Sequence, residues 1–183
     1  MHVWAHDRWS FPLPRQHRYP LSKHRLLRER LMAEGVCLPG EVHEADPAPW
    51  WALTRVHDAA LLGRIRRGQL SVREQRGLGL PWSPELVERA RRVASGTVLA
   101  AYEALRVGVA INLGGGTHHA GRDFARGYCL FNDVALAWDA LRNAELARRA
   151  LIVDCDVHQG DGTAQLLVPD PLAFTLSLHG ARN

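Results

Sequence analysis

Three cysteines in 183 residues, Cys37, Cys129 and Cys155, are too few and too scattered for a disulfide framework or a four-thiolate zinc site. That scarcity fits a reducing compartment, so the cytoplasm is the expected location. No stretch approaches the run of about 18 apolar residues that a membrane span needs, and no membrane partner is expected. The first residues, Met1-His2-Val3-Trp4-Ala5-His6-Asp7, lack the basic region and apolar stretch of a secretory signal. Lysine is nearly absent: Lys23 is the single lysine among 23 basic residues. The net charge of +4 and the pI near 9.4 come from arginines spread along the chain. Spread charge reads as a solvated surface, which argues against direct nucleic-acid binding. Internal repeats, low-complexity tracts and linkers are also missing, so residues 1–183 are expected to form one domain.

Local signals alternate between helix and strand. Residues 1–20 carry Pro12, Pro14 and Pro20, which oppose a helix. Residues 22–34 read as a helix with an apolar stripe of Leu26, Leu27, Leu31 and Met32, stopped by Gly35. Shorter helices are expected over 58–67 and 71–76. Ser83-Pro84-Glu85 joins a capping hydroxyl, a proline at the first helical position and an acid. The helix that it starts should run to about Leu105 and bury Leu86, Val87, Ala90, Val93, Ala94, Val98 and Tyr102. Buried strands are expected over 107–113, 150–154 and 172–178, with a helix over 131–142. This alternation implies an α/β fold built on a parallel sheet.

Two motifs follow expected strands, at the sheet edge where open parallel sheets bind ligands. The first is Gly114-Gly115-Gly116-Thr117-His118-His119-Ala120. Its glycines allow a sharp turn and close approach of the main chain. Two imidazoles there could act as the base and acid that amide hydrolysis needs. The second motif is Asp154-Cys155-Asp156-Val157-His158-Gln159-Gly160-Asp161-Gly162. Asp156 and His158 stand two apart, so in extended backbone they point the same way and could share one ion. Oxygen plus nitrogen ligation suits zinc, and also Fe(II), Mn or Co. Asp154 and Asp161 are then free to orient the two histidines. Cys129 and Cys155 flank these motifs and read as small buried apolar residues, either of which could be oxidation-sensitive. His17 and His57 read as structural or surface residues rather than ligands.

The chain resembles the zinc-dependent histone deacetylase family of the arginase–deacetylase superfamily, in its bacterial and class IV form. The resemblance rests on residues 11–20 (Phe-Pro-Leu-Pro-Arg-Gln-His-Arg-Tyr-Pro), Val56-His57-Asp58, the two motifs above, residues 127–133 (Gly-Tyr-Cys-Leu-Phe-Asn-Asp) and the closing residues 177–183 (Ser-Leu-His-Gly-Ala-Arg-Asn). It implies a three-layer α/β sandwich with a mostly parallel sheet, incomplete at the C-terminus. It also implies a deacylase acting on acetyl-lysine in protein or on an acetylpolyamine-like amine. His118 would pair with Asp154, and His119 would pair with Asp161 and serve as base, then acid. Asp156 and His158 would ligate Zn²⁺, with Fe²⁺ as the other candidate ion. Gly127 and Tyr128 would line the acyl-lysine tunnel, with Tyr128 standing where many relatives have phenylalanine. Asp154 and Ser177 would help hold a structural monovalent cation.

In the family a third zinc ligand, an aspartate, and a tyrosine that stabilises the oxyanion lie beyond the Ser-Leu-His segment. The sequence reaches Asn183 before either, and Asp170 is no substitute. The alternative expectation is therefore an inactive deacetylase-like fragment or one half of a split enzyme. A Mn-dependent ureohydrolase fits less well, because an Asp-x-His-x-Asp array would need an acid where Gly160 stands.

Overall fold

The computed structural model describes residues 1–182. Several of its helices begin where a side chain satisfies free amides. After α1 (Lys23–Ala33) and the four-residue α2 (Trp50–Leu53) comes α3 (Ala59–Arg67), capped by the Asp58 carboxylate. In α4 (Val72–Leu78), Ser71 and Glu74 form a reciprocal capping box. Ser83 Oγ accepts from Leu86 N at 3.1 Å and opens α5 (Pro84–Val107); such a cap is worth about 1 kcal/mol. Asn132 caps α6 (Asp133–Asn143), and α7 spans Asp161–Leu167.

Among the described residues the strands pair in parallel. β1 (Val3–Trp4) lies between β2 (Val42–His43) and β3 (Ile111–Asn112), with Val3 opposite both Val42 and Ile111. β4 (Ala150–Asp154) pairs with β5 (Ala173–Ser177), and Asp154 stands opposite Ser177. The long α5 packs along α6 and also against β1 and β3. The main core holds Leu53, Leu61, Ile65, Leu78, Leu130 and Phe131. Each such side chain contributes about 1.5–3 kcal/mol by burial.

Several expectations need correction. The N-terminal segment, expected only to lack a helix, supplies the central strand of the three-stranded sheet, and β2 and α7 were not expected. The expected strand over 107–113 is two residues long. Helix α5 instead continues to Val107 and stops at Gly108, whose φ is 93°. Along α5, Leu86, Val87, Val93 and Ala94 are buried, whereas Ala90, Val98 and Tyr102 are only partly so. β4 and β5 are not buried on both faces. Leu151, Val153, Phe174 and Leu176 all point outward and are exposed, because no described element covers that side. Cys129 is buried, but Cys155 is exposed, since the chain has left the strand at Asp154 and turned into an open loop.

Candidate active site

The glycine-rich loop leaves β3 and the acidic loop leaves β4, so both lie at C-terminal strand ends. There the structure brings His118 and His119 against two carboxylates distant in sequence. His118 Nδ1 donates to Asp154 Oδ2 at 2.6 Å, and His119 Nδ1 donates to Asp161 Oδ1 at 2.8 Å. The two rings are 4.0 Å apart, centroid to centroid. In the tautomer that carries the proton on Nδ1, Nε2 is the lone-pair nitrogen. His118 Nε2 stands 3.8 Å from Asp156 Oδ1, and the His119 ring lies 5.8 Å from that of His158. All four imidazole and carboxylate members are at least partly sheltered, whereas Asp156 and His158 are about half exposed.

Backbone packing explains how the loops meet. Thr163 N, in the first turn of α7, donates to His118 O at 3.0 Å. Gly127, with φ 57°, runs so close to His119 that a Cβ there would sit 2.5 Å from the ring. Tyr128 follows with φ 67°, an uncommon conformation for a bulky residue. Its ring packs edge-on against Tyr19, 5.1 Å away. Gly127 thus lies directly against the His119 ring, with Tyr128 next to it in the chain.

The surroundings of His119 favour its neutral form. Partial burial lowers its pKa first, followed by the neighbouring His118, His158 and Arg126; Asp156 opposes them. Asp156 is held below the usual carboxylate range, chiefly because its oxygen accepts the His158 backbone N–H. Arg126 also grips Asp161 through its guanidinium. Sequence reasoning missed this arginine, and nothing in its surroundings along the chain marks it.

Asp156 Oδ1 and His158 Nδ1 are 3.0 Å apart. Two donors on one tetrahedral zinc are about 3.3 Å apart, so the pair fits two corners of such a site in both chemistry and spacing. Among the described residues no group of three or more His, Cys, Asp and Glu forms a metal-holding cluster. Ser177 Oγ accepts from Gly160 N at 3.3 Å and contacts His179 Nδ1 at 2.9 Å, beside Asp154. His57 is buried and structural: Nδ1 donates to Gly121 O at 2.8 Å, and Nε2 accepts from Asn132 N at 3.0 Å.

Parallel strands, flanking helices and loops meeting at strand ends define an α/β protein. The sequence matches the histone deacetylase domain over residues 14–183, and the chain belongs to that family. It is 42% identical over 178 residues to an uncharacterized protein of Picosynechococcus sp., covering 97% of this chain and 59% of the relative. It is 30% identical over 164 residues to a histone deacetylase-like amidohydrolase of Pseudomonas aeruginosa, covering 87% of this chain and 43% of the relative. The solved structure of an HDAC homolog complexed with SAHA superimposes with a TM-score of 0.81 at 27% identity, over 97% of this chain and 50% of that one. The chain therefore spans about half the length of these relatives.

Proposed function

We propose that this chain carries the acid–base pair and two metal donors of a zinc-dependent amidohydrolase. Its substrate would be an acylated amine, either acetyl-lysine in protein or an acetylpolyamine, cleaved to the free amine and a carboxylate in the cytoplasm. The observation that carries this reading is the adjacent pair His118 and His119, each tied through Nδ1 to its own carboxylate. An amide needs a base to activate water and an acid to protonate the departing nitrogen. In this reading His119 takes the water proton on Nε2 and later delivers it to the amine, while Asp161 steadies the imidazolium. His118, held by Asp154, hydrogen-bonds the attacking oxygen. Gly127 and Tyr128 wall the approach of the acyl-bearing stem. Asp156 and His158 would hold Zn²⁺, or Fe²⁺ in its place. When bound, such an ion supplies Lewis-acid polarisation of the acyl oxygen. Asp154 and Ser177 are the residues for a structural monovalent cation.

The test is acetate release from an acetyl-lysine peptide and from an acetylated polyamine, with zinc supplied. Wild-type release that falls about 10²–10⁴-fold in His119→Ala supports the reading. No release from either substrate, or release indifferent to that substitution, overturns it.

A further inference from the structure

Behind the histidines lies a buried polar pair that the acid–base reading does not use. Asp133 is fully buried, and among the described residues no ion pair involves it. Its Oδ1 accepts from Thr117 N at 2.7 Å and from Thr117 Oγ1 at 2.5 Å. Its Oδ2 accepts from Gly116 N at 2.9 Å and from the Thr97 hydroxyl of α5. A carboxylate withdrawn from water persists only where donors surround it. Here two of those donors are the main-chain amides just ahead of His118. Asn132, the preceding residue, is also fully buried. Its Nδ2 donates to Ala120 O and to Thr163 Oγ1, each at 3.0 Å. Adjacent residues at the start of α6 thus hold the segment before His118 and the segment after His119. The three glycines that precede Thr117 have no side chains with which to anchor that turn.

We propose that Asp133 is a positioning residue for His118 and His119. By gripping the Gly116 and Thr117 amides it sets the backbone from which both imidazoles reach their carboxylates. The proposal rests on the acid–base reading of the two histidines for its catalytic consequence, though not for its geometry.

Asp133→Asn keeps the shape but turns an NH₂ toward donors. Thr97→Val removes one peripheral donor with little change of volume. Two readouts apply to the whole protein. The first is the low-field proton resonance of each carboxylate-bound Nδ1–H, followed in ¹⁵N-histidine-labelled protein. The second is the division of any rate loss between kcat and KM. Asp133→Asn is expected to broaden or abolish both low-field resonances. It should lower kcat about 10²-fold, the scale of a misplacement near 1 Å, with KM changed less than about twofold. Thr97→Val should move both readouts the same way, by less. Unchanged resonances and kcat in the two variants overturn the proposal, as does a drop in Tm alone. If Asp133→Asn does not fold, Thr97→Val decides by the same criteria. The resonances need no turnover. If the wild type cleaves no acylated amine yet its resonances vanish on substitution, the positioning role stands and the functional reading falls.

Discussion

The Asp154 carboxylate lies against the backbone of Gly160, where a Cβ would stand 2.1 Å from Oδ2. That oxygen is the one to which His118 Nδ1 donates. The position must therefore lack a side chain if His118 is to keep its partner. Gly160→Ala should push the carboxylate away, destabilise the fold by about 1–3 kcal/mol and lower turnover about 10²-fold. Urea denaturation and acetate release measure the two effects. Wild-type values in both would show that the loop yields without disturbing the pair.

Zinc should raise the melting temperature of the wild-type protein, because an ion that binds only the native state stabilises it. Asp156→Ala and His158→Ala should each reduce or abolish the shift. Thermal unfolding with and without zinc reads this directly. An undiminished shift in both variants would assign the ion to other residues.

Stability should fall as the pH drops below neutral. Burial lowers His6, His24 and His57 from 6.5 to about 4. In the unfolded chain each takes up a proton near 6.5, whereas in the folded chain it stays neutral until about 4. Their contribution is therefore intact above pH 6.5 and is lost progressively between 6.5 and 4. Gln at position 57 can still donate to Gly121 O and accept from Asn132 N. His57→Gln should flatten the slope of unfolding free energy over that window. An unchanged slope would remove His57 from the account.

The outward side of β4 and β5 should bind apolar probes. Leu151 stands opposite Phe174, and Val153 opposite Leu176, which makes one contiguous exposed patch. Parallel strands rarely leave a face open to water. Phe174→Lys should lower the fluorescence of a hydrophobic dye and reduce light scattering. No change in either would mean that the patch is already shielded in solution.

Much of the helical structure was legible because its signals are local. Ser83-Pro84-Glu85 places the start of α5 within a residue, and Asp58 and Ser71 do the same for α3 and α4. Strands β4 and β5 were legible as short apolar runs, but their one-sided exposure was not, since a run of apolar residues does not say what covers it. β1 and β2 have two residues each and no periodicity to read; they are strands because each lies beside another. Asp133 was visible only as the last residue of the stretch 127–133 that carries the family resemblance. Its carboxylate meets Thr117 and Gly116, 16 and 17 positions back, and Thr97, 36 positions back.

The residues themselves dictated the chemistry within reach: two adjacent imidazoles behind glycines, and an Asp-x-His pair among further acids. Side-chain identity and spacing along the backbone are properties of the chain alone. Which carboxylate meets which histidine, which cysteine faces water and which acid is buried under the loop were decided by tertiary structure. Those relations join residues from separate strands and helices. They exist only once the parallel pairing of β1 with β3 and of β4 with β5, and the packing of α5 on α6, have brought the loops to a common edge.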